Sequence, residues 1–107
     1  MSIVNQNILE DAYLGTELKF LLKITADGFS MVDDDFTVTL KRGQVTKVFT
    51  KDQLVQDEND RFYLCFDSAE FGKGLITATI TAYVPDDDFD DGLRTEVQKI
   101  DLVTINP

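Results

Sequence analysis

An all-β fold is predicted by three observations on this chain of 107 residues. Apolar residues recur at every second position through most of its length, which is the period of a half-buried strand. Glycine, proline and aspartate punctuate the alternating runs. Helical spacing is nearly absent.

From Thr16 onward, Leu18, Phe20, Leu22 and Ile24 fall on one face, and Glu17, Lys19, Lys23 and Thr25 on the other. Phe36, Val38 and Leu40 repeat the pattern against Thr37, Thr39 and Lys41, and Arg42-Gly43 then offers a turn into Val45 to Phe49, which reads as a hairpin. After a polar stretch from Lys51 to Asp60, Phe62, Leu64 and Phe66 alternate with Tyr63 and Cys65. Asp67-Ser68-Ala69-Glu70 carries an N-cap residue and a glutamate three positions later, with Gly72 and Gly74 close behind, so one helical turn is expected at this corner. Leu75 to Val84 is the clearest strand, with Ile76, Ala78, Ile80, Ala82 and Val84 on one side and threonines and Tyr83 on the other. Pro85 stops it. The aspartate-rich Asp86 to Gly92 makes a connection, and Leu93 to Ile105 offers a last strand whose apolar phase slips near Ile100, as at a bulge.

Six or seven short strands joined by such turns favour an immunoglobulin-like β-sandwich of about seven strands, with a small β-barrel as the alternative. The predicted core contains Leu22, Phe36, Val38, Leu64, Ile76, Ile80 and Val84. The whole chain, 1–107, reads as a single domain, and 1–14 as an N-terminal arm or edge segment. Within it, Ile8 to Leu14 fits a short amphipathic turn or a strand equally well. A compact fold of this size removes roughly 65% of the surface that the unfolded chain exposes, enough for one modest core.

Twenty acidic residues against ten basic ones, with no histidine, give a net charge of -10. Such a charge repels phosphate backbones and anionic membranes, so neither nucleic acid nor a membrane surface is an expected partner. The start at Met1 to Asn7 lacks the pattern of an export signal, and no run approaches the roughly 18 apolar residues that span a bilayer. With one cysteine, Cys65, no intrachain disulfide can form. The chain reads as made in a reducing compartment.

Catalysis is a poor fit, because the commonest general base is absent and Cys65 has no imidazole to activate it. Cys65 is therefore expected to be a buried packing residue. No catalytic residue, metal ligand or cofactor site is predicted. The loop Asp86-Asp87-Asp88-Phe89-Asp90-Asp91-Gly92 has carboxylates at alternate positions, as calcium requires. Counted from Asp86, however, Asp91 stands where an EF-hand loop needs glycine and Val97 where it needs a bidentate glutamate, which favours a solvated hairpin tip. Asp33-Asp34-Asp35 reads as a strand-entry turn with an aspartate capping nearby amides. Against this acidity, Phe36 to Lys51 holds Lys41, Arg42, Lys47 and Lys51 and no acid. One reading is an edge hairpin whose lysines discourage stray strand pairing. The other is an attachment face for an acidic surface, including a second copy's Asp86, Asp87, Asp88, Asp90 and Asp91, with Val45, Val48 and Phe49 supplying apolar contact.

The corner Asp67-Ser68-Ala69-Glu70-Phe71-Gly72-Lys73-Gly74, followed by Leu75 to Val84, resembles the E-to-F corner and F strand of immunoglobulin-like sandwiches, without their disulfide and core tryptophan. Gly15-Thr16-Glu17-Leu18-Lys19-Phe20, the Asp27-Gly28-Phe29 turn leading to Asp35-Phe36, and Tyr83-Val84-Pro85-Asp86 through Leu93-Arg94-Thr95-Glu96-Val97 resemble small proteins encoded in phages and prophages of gut Bacteroidales. The likeness spans roughly Gly15 to Val103. It implies a structural component of a virion head or tail, made in the bacterial cytoplasm, present in several copies, and contacting other structural proteins or copies of itself. It brings no catalytic residues. The rival expectation is an autonomous binding domain for a soluble ligand or surface glycan.

Overall fold

A computed structural model describes residues 2–5 as backbone, and residues 12–57 and 61–107 in full. The chain is an all-β domain with two sheets. Among the described residues nine strands follow in order: β1 (Ser2–Asn5), β2 (Ala12–Tyr13), β3 (Glu17–Thr25), β4 (Asp35–Arg42), β5 (Val45–Thr50), β6 (Val55–Asp57), β7 (Arg61–Asp67), β8 (Gly74–Pro85) and β9 (Leu93–Asn106). Six of them are the strands placed from the alternation of the sequence; the other three, β1, β2 and β6, are each too short for an alternation to stand out. The Ile8 and Leu9 half of the ambiguous N-terminal segment lies outside the described residues; Ala12 and Tyr13 are strand.

One sheet has the order β1-β3-β7-β6 and the other β2-β9-β8-β4-β5. Every neighbouring pair is antiparallel except β2 with β9, which run parallel through Ala12 opposite Ile105 and Tyr13 opposite Asn106. The β4–β5 hairpin turns between Arg42 and Val45, with Gly43 at φ 56°, a conformation that glycine adopts without a Cβ penalty. The slip foreseen near Ile100 is present. Ile76 faces Val103 and Thr77 faces Asp101, so Leu102 is the extra residue of a bulge.

The inward rows of the two sheets share one core. All seven residues predicted for it are buried, with Phe36, Ile76, Ile80 and Val84 fully so. Aromatic rings join the layers: Phe36 of β4 meets Phe62 of β7 edge-on with ring centres 5.5 Å apart, and Phe71 meets Phe66 at 5.2 Å. Cys65 departs from expectation and is exposed. Its neighbours Leu64 and Phe66 take the inward positions of β7, and strand alternation then turns the thiol outward.

Candidate functional site

The expected helical turn at the corner is a 3-10 turn, Ser68–Glu70, started by Asp67, whose carboxylate accepts the amide of Ala69 at 2.9 Å. Ser68 lies at the centre of this corner and is fully buried. Its Oγ donates to the Tyr13 carbonyl at 3.0 Å and accepts the Thr16 amide at 3.0 Å, while its own N–H donates to the Thr16 carbonyl at 2.9 Å. One serine thereby ties the β2–β3 link to the β7–β8 corner. Nothing local in the sequence signals this, because its partners stand 52 and 55 positions away.

The four basic residues of the hairpin do not form one face. Strand alternation sends Lys41 to the outer face of the five-stranded sheet, opposite Thr46 and Thr77. Arg42 and Lys47 fall on the other side and close over the corner. The Arg42 guanidinium donates to the Phe71 carbonyl and lies beside Gly72, and its stem runs past Gly74. A Cβ on Gly74 would stand 3.2 Å from Arg42 Cδ, so the glycine leaves the room that Arg42 occupies. Lys47 pairs with Glu70 at 2.9 Å, and its ammonium stands 6.0 Å from the centre of the Phe71 ring. Lys51, just past β5, donates to the carbonyls of Val32 and Asp34. Three of the four cations thus hold the domain's own loops, and Lys41 is left on an open sheet face. Of the proposed apolar contacts, Val48 is 56% exposed on that same outer face, whereas Val45 and Phe49 turn inward and pack against the core.

The acidic loop is ordered by its own backbone. The Asp86 amide donates to the Gly92 carbonyl at 2.9 Å, and the Gly92 amide to the Phe89 carbonyl at 2.9 Å. Asp86 accepts the Asp88 amide on one oxygen and the Arg94 guanidinium on the other, and Asp91 accepts the Leu93 amide. The Asp88 amide, and then Arg94, hold the Asp86 carboxyl below its ordinary 3.8. A depressed carboxyl pKa means that this clamp contributes fully above that ordinary value and is lost as pH falls through the lowered one. Asp87, Asp88, Asp90 and Phe89 remain exposed. In Asp33-Asp34-Asp35, Asp34 accepts the Ser30 amide at 2.8 Å, which is the capping role expected of that run.

Among the described residues no group of three acidic, histidine or cysteine side chains is placed to hold a metal ion. With Asp86 and Asp91 committed to the loop's own donors, calcium is expected to bind the loop no more tightly than about 1 mM, in the range of weak extracellular sites. Calorimetry at low salt checks this: micromolar affinity that vanishes on Asp88→Asn with Asp90→Asn would contradict it.

The concave surfaces are shallow. One groove of about 490 Å³ on the outer side of β3 and β7 is lined by Glu17, Leu18, Lys19, Cys65, Phe66 and Asp67. Another, of about 480 Å³, lies between Asp33 to Asp35 and Tyr83, Pro85 and Leu93. The outer face of β9-β8-β4-β5 has no described element over it. Across it run Val48, Thr39, Thr79 and Lys99 in one row and Thr50, Thr37, Thr81 and Val97 in the next. Comparison with protein-family models, with curated proteins and with solved structures returns no match.

Proposed function

We propose that the protein is a non-enzymatic assembly module on an immunoglobulin-like sandwich, a structural component of a phage head or tail that acts through contacts with other structural proteins. The strand order supports the fold part of this reading. Orders β1-β3-β7-β6 and β2-β9-β8-β4-β5 correspond to the two sheets of such a sandwich, with the first strand divided between the sheets and one additional edge strand. The virion setting follows from the sequence resemblance, with synthesis in the bacterial cytoplasm.

One observation carries the functional part: the outer face of the five-stranded sheet has no described element over it. Its threonine rows are flanked by Val48, 56% exposed, and Val97, 61% exposed, and Lys41 projects from its β4 row. Mixed apolar and hydroxyl surfaces suit protein contact, in which the apolar centre supplies affinity and a rim charge such as Lys41 steers an acidic partner.

The test is particle incorporation. In particles released from a host that carries the gene and banded on a density gradient, the protein is expected to co-migrate at several copies per particle. Lys41→Glu with Val48→Glu is expected to leave the melting midpoint within about 4 °C, since both side chains are exposed. The same variant should slow incorporation about tenfold at low salt and less at high salt, because the steering charge is screened over about 8 Å at physiological ionic strength. Protein that stays wholly in the soluble fraction, or a variant that incorporates as the wild type does in both salts, would refute the reading.

A further inference from the structure

We propose that the groove at the Asp35 end of the outer sheet face takes an arginine side chain of a partner protein, its stem against Tyr83, Pro85 and Leu93 and its guanidinium on the Asp35 carboxylate. The inference rests on the reading that the domain acts through protein contacts on this face. It names the chemistry that such a partner presents at one end of it.

Strand alternation builds the groove. β4 enters its sheet at Asp35, and Thr37, Thr39 and Lys41 follow at every second position on the same outward face. Asp35 stands opposite Tyr83 of β8, and Pro85, two residues further along β8, stands opposite Leu93 of β9. A carboxylate on one strand is thereby set beside an aromatic ring, a proline and a leucine on the next two. Pro85 and Leu93 are both exposed, so this wall is open to solvent. The groove has a volume of about 480 Å³, within the range of sites that hold small molecules.

Charge decides what fits. The Asp35 Oδ1 accepts the Phe36 amide at 3.0 Å, and among the described residues the Asp35 carboxylate meets no cation. An ionised carboxylate offers about four acceptor sites, so most of its capacity is still open. Asp34 is taken up by the Ser30 amide, whereas Asp33 is exposed and adds to the negative potential. The cations of the adjoining segments are committed elsewhere. Lys51 donates to the carbonyls of Val32 and Asp34, and Arg94 binds Asp86, Glu96 and the Asp27 carbonyl.

An apolar wall that ends in an open carboxylate matches a side chain that is apolar along its stem and cationic at its tip. Arginine fits better than lysine. Its planar guanidinium lies flat on an aromatic ring and gives two N–H groups to one carboxylate, whereas an ammonium is a strongly hydrated point charge. A net charge of -10 draws a basic partner segment and repels a second copy of this chain.

The two ends of the face then work together. Lys41 lies six positions along β4 from Asp35, about 20 Å away. That distance exceeds the screening length of about 8 Å, so the two contacts act independently. Opposite charges at the ends of one surface admit a partner in a single orientation, acidic over Lys41 and basic over Asp35.

Titration of the isotopically labelled full chain with N-acetyl-arginine amide, followed in amide NMR spectra, tests the groove without a partner. Saturable shifts are expected at Thr37, Tyr83 and Leu93, with a Kd of about 1 mM for a ligand of this size at ordinary efficiency. N-acetyl-citrulline amide keeps the shape and lacks the charge, and is expected to bind at least about tenfold more weakly. Asp35→Asn retains an acceptor for the Phe36 amide and is expected to weaken arginine binding about tenfold. Tyr83→Thr continues the threonines of the outer β8 row and is expected to weaken it about threefold. In the particle assay, Asp35→Arg is expected to slow incorporation about tenfold at low salt. Equal binding of citrulline, shifts centred on Asp87, Asp88 and Asp90, or no saturation up to about 20 mM each overturns the proposal. So does incorporation of Asp35→Arg at the wild-type rate. If the wild type itself stays soluble, the reading of the outer face fails, while the titration still judges the groove.

Discussion

Phe36→Ala is expected to cost about 3–5 kcal/mol of unfolding free energy, the range for removing a large buried aromatic when the surroundings close only partly around the cavity. Phe36 is fully buried, and its ring contacts Phe62 of the opposite sheet edge-on at 5.5 Å and Phe29 of the β3–β4 connection at 6.4 Å. One side chain therefore holds both layers and the loop that covers their end. Its loss removes edge-to-face contacts worth about 0.5–1.5 kcal/mol each beyond the apolar area buried. Urea titration measures the effect, with the midpoint expected to fall at an unchanged slope. A loss under about 1 kcal/mol would mean that the two layers pack without this ring, and would count against the core described for the domain.

Ser68→Val is expected to cost about 2–4 kcal/mol, by two routes that can be separated. The hydroxyl's bonds to Thr16 and Tyr13 contribute about 1 kcal/mol, and an extra methyl forced into a fully buried site typically adds about 1–3 kcal/mol. Ser68→Ala removes the first without adding the second, and is expected to cost about 1 kcal/mol. Part of its cost is softened because the Thr16 amide and hydroxyl both still reach the Tyr13 carbonyl, at 3.2 and 2.6 Å. Hydrogen exchange at the Thr16 amide should accelerate in both variants, well before the β8 amides do, because the corner opens before the central strands. Equal costs for the two variants would show that packing at this corner is loose enough to admit a methyl.

The wider consequence of the corner concerns how the domain uses its positive charge. A chain with twice as many acids as bases places Arg42, Lys47 and Lys51 against carbonyls, Glu70 and aromatic rings of its own loops. The Lys47–Glu70 pair is half-exposed and contributes at most about 1 kcal/mol, so its main effect is to fix where the hairpin lies over the corner. Substitutions at Lys47 are therefore a poor probe of partner binding, and Lys41 is the informative one.

Sequence by itself determined which residues face the core, because strand alternation is a local property with a period of two. Phe36, Val38 and Leu40, and Ile76 through Val84, could be assigned to buried rows from their spacing alone, as could the hairpin at Gly43 and the bulge before Val103. The same rule applied to β7 points Cys65 outward, and the expectation of a buried thiol failed where a residue-type tendency was preferred to the alternation of its neighbours. Tertiary structure alone decided the rest. The strand order, including the parallel contact of β2 with β9, depends on pairings between distant segments that no local pattern encodes. The basic hairpin looked like one patch because its charges are close in sequence. Alternation and the path of the corner separate Lys41 from Arg42 and Lys47, and only the fold brings Phe71 and Glu70 to meet the latter two. For the same reason the role of Ser68 and the groove beside Asp35 were invisible in sequence: each is defined by what lies across from it, and that is set when the sheets pair and pack.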